Sequence, residues 1–294
     1  MGILAGLLKD PPPKFVFELS EAGIAMGRHG RPPQIGFQPL EPEVIAVSAV
    51  RDNVLRLEVL TAQVQTLAPA GDARKRHRAV LILPDGSARV SVLDFDAFPS
   101  EADQQLALVK FRVKKSLPFE VETARLSYFL QAVPGGRLDV VVALAPLEVV
   151  ARFEAPFRAA GFHPGLVTSS TLAALALVRG NAPAVLVKLT GRLLTISVLE
   201  GGRLKLLRSI ELAEGTAEEI LGHLYPTFAY AEDQLAARPG RLLTCGFDGA
   251  SPELSQAFEA ELGVAVEPLR SRWGAPTAYN AGLLGCLEWL EDTA

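Results

Sequence analysis

The sequence predicts an α/β protein of two related lobes facing a cleft, the first lobe carrying a small inserted α+β subdomain. Three observations predict it. Residues 14–26 read as a strand, a tight polar turn through Glu21, Ala22 and Gly23, and a returning strand. Residues 184–198 repeat that pattern about half a chain later, and Gly201 and Gly202 turn into a third strand from Leu204 to Ile210. Between the two copies, residues of about 88–163 carry a helix, two alternating strands and a second helix of their own. Period-2 and period-3.6 segments in succession, rather than in separate blocks, mark the α/β class.

The elements follow in order. The first hairpin spans 14–28, Gly30, Pro32 and Pro33 break it, and 34–40 reads as a third strand. Val54, Leu57, Leu60, Val64 and Leu67 are spaced as one helical face, ended by Pro69 and Gly71. Residues 79–83 form a continuously apolar, buried type of strand. Pro84, Asp85, Gly86 and Ser87 turn into the half-exposed strand 89–93. In the insertion, Leu106, Val109, Val113 and Leu117 face one way from a helix that Pro118 stops. Strands at 126–130 and 138–145 flank a turn at Pro134, Gly135 and Gly136, and a helix at 148–160 turns Val149, Val150, Phe153 and Phe157 inward.

Ser169, Ser170 and Thr171 read as the cap of a helix over 172–178, and Asn181 to Pro183 as a hinge. The second lobe, 182–294, then holds three strands. A helical subdomain follows at about 214–238, which Pro226 is expected to kink or divide. A buried strand 241–245, a helix face of Leu254, Phe258 and Leu262, and a last helix near 276–290 complete it.

At 294 residues, with 49% hydrophobic and 21% charged residues, the chain is long enough for two packed domains. A net charge of −4 gives no whole-molecule footprint for nucleic acid, and no such partner is expected. The basic run Arg74, Lys75, Arg76, His77 and Arg78 reads as a solvated lead into a strand; an acidic or phospholipid contact is the alternative. Cys245 and Cys286 sit in apolar contexts and read as buried thiols of a reducing compartment. The four histidines lack metal-ligand spacing, so no metal is expected. No apolar run approaches the ~20 residues that cross a bilayer. Met1 to Leu8 lack a basic start, so 1–13 read as a flexible lead-in of a cytoplasmic protein rather than a signal peptide.

Lys114, Lys115, Leu117, Pro118, Phe119, Glu120 and Glu122, followed by the strand from Leu126 to Leu130, resemble the pilus-assembly protein family PilM. Glu148 to Val150 through Ala160, Gly161, Phe162 and Pro164, Ser197 through Glu200, Gly201 and Gly202, and the glycine turn after Cys245 match in the same order. The resemblance spans essentially the whole chain. It implies an actin-like, FtsA-like fold of two ribonuclease-H-like lobes with a subdomain inserted in the first. Family members bind ATP between the lobes. At the cytoplasmic face of the inner membrane they also bind the N-terminal tail of PilN, a single-span pilus protein. The cytoplasmic part of the type II secretion protein GspL is a related reading, although GspL normally continues into a membrane span.

Nucleotide-binding versions of this layout hold an acid, then a glycine two positions on, in each phosphate turn. Here those slots hold Glu18 and Ser20 in the first copy, Lys188 and Thr190 in the second, with Gly191 one position late. A glutamate can still reach a metal-bound water; a lysine cannot support Mg²⁺. The adenosine turn falls on Gly246 to Gly249, with Phe247 where a small residue is needed, so its ring is expected to fill the base site. Bare scaffold turns are therefore the expected reading, with no cofactor, no catalytic residue and no enzyme activity. An active Mg-ATP-dependent actin-like ATPase or kinase is the alternative. The expected work is non-catalytic assembly: binding a PilN-like tail in a groove between the first lobe and the insertion, walled by the helix 104–117 and by Lys114, Lys115, Pro118 and Phe119. Membrane association then comes through the partner.

Overall fold

The computed structural model describes residues 13–67, 76–132, 137–235, 238–247 and 252–293. The first lobe opens with β1 (Phe15–Leu19), β2 (Gly23–Arg28) and β3 (Gln34–Pro39), then α1 (Leu57–Thr66) and β4 (His77–Leu83). The insertion contributes β5 (Arg89–Phe95), α2 (Ala102–Val113), β6 (Ala124–Ala132) and β7 (Leu138–Pro146). The chain returns through α3 (Leu147–Ala159), β8 (Phe162–Ser169) and the short α4 (Ser170–Ala174). The second lobe has β9 (Ala184–Thr190), β10 (Leu193–Glu200), β11 (Arg203–Glu211), α5 (Ala217–Gln234), β12 (Arg241–Cys245), α6 (Pro252–Leu262), β13 (Ala265–Pro268) and α7 (Ala281–Thr293).

The two large sheets are copies in topology. Their orders are β3-β2-β1-β4-β8 and β11-β10-β9-β12-β13. In each, an antiparallel three-strand meander is followed by two strands parallel to the first. Strands buried on both faces read as unbroken apolar runs, as in β4 from Ala79 to Leu83 and β9 from Ala184 to Val187. In the first lobe Phe17 lies edge-on to Phe162, with ring centroids 4.8 Å apart, and 4.9 Å from Phe157.

β8 was not expected, because Pro164 and Gly165 interrupt its pattern. They sit at a bulge: Ala79 pairs with Pro164 and Val80 with Leu166, leaving Gly165 extra. On an outer strand a proline and a bulge are both tolerated.

Three boundaries differ from expectation. Helix α3 was assigned to the insertion, but Val149, Phe153 and Phe157 pack in the first-lobe core with Phe17 and Leu60. The insertion proper is the antiparallel sheet β5-β7-β6 covered by α2. Helix α5 is not a separate subdomain. Ile220, Leu224 and Phe228 lie in the core beneath β9 and β10, and the helix runs on through Pro226. The last helix, in turn, begins only at Ala281 and crosses back, packing Leu283, Leu287 and Leu290 against Val16, Ala25 and Val80 of the first lobe.

That crossing depends on small residues. A Cβ at Gly285 would lie 2.3 Å from the Ala173 carbonyl oxygen, and one at Gly282 would lie 2.8 Å from that of Ser170. Both obstacles are backbone and cannot swing aside. Gly285→Ala is therefore expected to destabilise the protein by about 1–3 kcal/mol, the range for overpacking. Chemical denaturation measures this, and an unchanged midpoint would contradict the tight α4–α7 contact.

Candidate functional site

The two hairpins bring Glu18 and Lys188 into the seam between the lobes, where each is already bonded to other buried groups. Glu18, at the end of β1, is buried. Its Oε1 accepts from the Ser170 hydroxyl, and its Oε2 accepts from the Leu283 N–H at 2.7 Å. Thus α4 and α7 both anchor on one carboxylate. Asp85, just past β4, is also buried and accepts the Thr171 N–H and hydroxyl, each at 2.7 Å. Lys188, on β9 of the other lobe, brings its ammonium to Asp85 Oδ2 at 3.3 Å and to Thr190 Oγ1 at 2.8 Å. Lys188 is only 2% exposed, so this is a buried ion pair joining the lobes.

Sequence reasoning read Asp85 as a turn residue and Ser170 and Thr171 as a local cap. The cap comes instead from Asp85, and Ser169 makes no capping bond. The one available signal was an acid placed directly after a buried apolar strand.

Electrostatics in the seam follow from burial. Burial raises the Glu18 carboxyl above its ordinary range, outweighing the nearby Lys188 charge and the two donors. For Lys188 burial acts to lower the pKa, but the attraction of Asp85 and Glu18 prevails and raises it. Burial and the Glu18 charge also push the Cys286 thiol well up, which leaves it inert.

A carboxyl with a raised folded pKa gives stability that is full below its unfolded value and is lost as pH rises through the folded one. Glu18→Gln, which keeps one acceptor and gains a donor, is therefore expected to be more stable than the parent at pH 7. Its advantage should disappear near pH 4. Thermal melts of both proteins across pH 4–8 measure the difference, and a gap that widens toward low pH would refute the raised carboxyl.

The remaining turn residues have local structural roles. The Ser20 hydroxyl donates to the Gly23 carbonyl at 3.0 Å and accepts from the Gly23 N–H at 3.1 Å, closing the β1–β2 turn. Gly191 has φ +57°, which the two-residue turn Gly191–Arg192 between the paired Thr190 and Leu193 uses at its first position. Gly246 has φ +77°, and a Cβ there would fall 2.0 Å from the Leu189 carbonyl oxygen. The Phe247 ring packs edge-on to Phe258 at 6.3 Å, on the second-lobe core. Gly249, like Met1 to Leu8, Arg74 and Lys75, lies outside the described residues.

The groove between the first lobe and the insertion is present, with different walls. Arg125, Ser127 and Phe129 of β6 and Val141, Ala143 and Ala145 of β7 share the sheet face turned toward β8. Together with Leu166 to Ser169 of β8, Val150 of α3 and Leu172 of α4 they line a mainly apolar cavity of about 150 Å³. The Ser169 hydroxyl is buried there with no hydrogen-bond partner among the described residues. Lys114, Lys115, Pro118 and Phe119 do not reach it. They follow α2 on the opposite face of the insertion sheet, where Phe119 leans on the core of Val109, Val113 and Val142. Lys114 pairs with Glu122 at 3.5 Å. Strand alternation fixes this division, since successive side chains point to opposite faces.

Two lobes of identical strand order, hairpin turns opposed across a seam and a last helix returning to the first lobe define the actin-like ATPase fold, which this chain has. A solved chain of the PilM-PilN type IV pilus biogenesis complex superposes with a TM-score of 0.75 at 16% identity, covering 96% of this chain and 99% of that one. A Bacteroides thetaiotaomicron protein with an actin-like ATPase fold gives 0.60 at 11% identity over 98% and 99%. The cytoplasmic domain of EpsL, an inner membrane component of the Vibrio cholerae type II secretion system, gives 0.52 at 12% identity over 95% and 94%. No protein-family model and no curated protein matches the sequence.

Proposed function

We propose that this protein is a non-catalytic actin-like assembly platform of a pilus or related secretion machine, acting at the cytoplasmic face of an inner membrane. It holds an extended tail of a membrane partner in the groove between the first lobe and the insertion. The groove carries this reading. Its floor is apolar, and β6 and β8 are outer strands of their sheets. Such edges can add main-chain hydrogen bonds to an extended peptide while alternate side chains enter the cavity. The solitary Ser169 hydroxyl would gain a partner from the bound main chain. The likeness to a chain of the PilM-PilN complex and to EpsL supports a platform of this kind.

Nucleotide is not part of the proposal. The acids that would hold a Mg²⁺ shell, Glu18 and Asp85, are buried and already paired with Ser170, Leu283, Thr171 and Lys188. The Lys188 cation lies against Asp85, so these residues fit a Mg-nucleotide poorly.

N-terminal tail peptides of membrane pilus proteins, labelled for fluorescence anisotropy, test the groove. Saturable binding is expected, and Ala143→Arg should weaken it at least ten-fold, with a melting curve of the variant separating blocked binding from lost folding. Failure of every such tail to bind would refute the platform. Millimolar Mg-ATP is expected to leave the melting temperature within about 1 °C, whereas a ligand at 100 times its Kd adds about 2.7 kcal/mol. A saturable rise would restore the ATPase alternative.

A further inference from the structure

Among the described residues, the outer strand of the first-lobe sheet is left open. β3 pairs with β2 on one side only and reads Gln34, Ile35, Gly36, Phe37, Gln38 and Pro39, with no charged side chain. Sheet edges are usually blunted by charge, a bulge or a cover, because their free main-chain groups invite another strand. Ile35 and Phe37 lie on one face, 41% and 49% exposed.

The hydrogen-bond phase of this edge can be read from its neighbour. The Leu40 N–H donates to the Ala22 carbonyl at 3.0 Å, continuing the register in which Gly23 faces Pro39. Even-numbered residues therefore turn their main chain toward β2. Ile35 and Phe37 turn theirs outward, in the same phase as Pro33 and Pro39, which have no N–H to donate.

We propose that β3 pairs antiparallel with β3 of a second copy of this chain, across a two-fold axis through Gly36. Ile35 then faces Phe37 of the second copy, and Phe37 faces its Ile35. All four residues point outward, so each pair exchanges both main-chain hydrogen bonds. The exposed side chains become aromatic–β-branched cross-strand pairs, a favourable combination. On the other face Gln34 meets Gln38. The Gln38 Nε2 already donates to Gln63 at 2.9 Å, leaving its Oε1 to accept from Gln34.

Prolines select this register. A shift of two residues sets Pro33 against Phe37 or Pro39 against Ile35, and donors are lost. A shift of one sets outward groups against inward ones. The contact is isologous, so it closes at a dimer instead of growing into a fibre.

Edge pairing buries less than the ~1,600 Å² of a standard interface, so the dimer should be reversible. Sedimentation equilibrium of the full chain from about 1 to 100 µM, the range suited to such a small interface, should show the average mass climbing from 31.4 kDa toward twice that value. Phe37→Lys should remain monomeric throughout, with an unchanged melting temperature. Gly36→Cys places the same residue opposite itself at ~4.5 Å between Cα atoms, within disulfide reach. The position has room, because a Cβ would lie 4.0 Å from the Met26 methyl. Gly36→Cys should cross-link under mild oxidation at least ten-fold faster than Gln34→Cys, whose counterpart is Gln38. A parent that stays monomeric, a Phe37→Lys dimer, or equal cross-linking of the two cysteine variants would each overturn the proposal.

Discussion

Lys188→Met is expected to lower the unfolding free energy by about 3–5 kcal/mol, the cost of removing one partner from a buried ion pair. The methionine fills most of the volume, so the loss is electrostatic. Asp85 keeps its Thr171 donors but loses the ammonium 3.3 Å away, and Glu18 loses the Lys188 charge that draws its pKa back down. In a protein of this size the melting temperature should fall by on the order of 10 °C. The raised Lys188 pKa sets the pH window: its contribution is full below the unfolded value and fades only as pH rises through the folded one, in strong alkali. Adding Asp85→Asn should recover much of the loss, because an apolar or neutral replacement of both partners removes the stranded charge. A Lys188→Met protein as stable as the parent, or a double variant worse than the sum of the singles, would show that the lobes are not joined this way.

The second large effect is expected for Gly246→Ala. An alanine at φ +77° costs about 1–2 kcal/mol in backbone terms, and its methyl would sit 2.0 Å from the Leu189 carbonyl oxygen. Relief requires β12 to separate from β9, where Cys245 pairs with Lys188. Strain and overpacking together give about 2–5 kcal/mol. Urea unfolding of ligand-free protein is the measurement. A glycine kept only so that a nucleotide can approach would show no loss there, and unchanged stability would remove the packing explanation.

Much of the fold was legible because its signals are local. Alternation in 14–28 and 184–211, the glycines at 191, 201 and 202, and the apolar run at 79–83 each specify an element without reference to distant residues. What a segment packs against is not local. The apolar stripe of α3 is equally compatible with the insertion sheet and the first-lobe sheet, and only the three-dimensional arrangement decides between them. The same limit applied at the site. The charge reversal at Lys188 could be read directly, but Asp85 is 103 residues away and resembled any other turn aspartate. Lys114 and Lys115 are exposed, yet exposure does not tell which side of a sheet a helix covers. At β8 the local signal misled, since Pro164 and Gly165 looked like an end and were a bulge.

The insertion is also fastened to the lobe it does not belong to. At the far end of β6 the Gln131 side chain behaves like a piece of strand: its Nε2 donates to the Leu204 carbonyl at 2.8 Å, and its Oε1 accepts the Leu204 N–H at 2.9 Å. Beside it, Lys205 meets Asp139 at 2.7 Å. A tail held along β6 would therefore pull on two anchorages at once, the covalent chain leading into the first lobe and this amide clasp on the second. Mechanical load entering the groove that way would be divided between the lobes, and the seam closed by Lys188 would be spared the full shear.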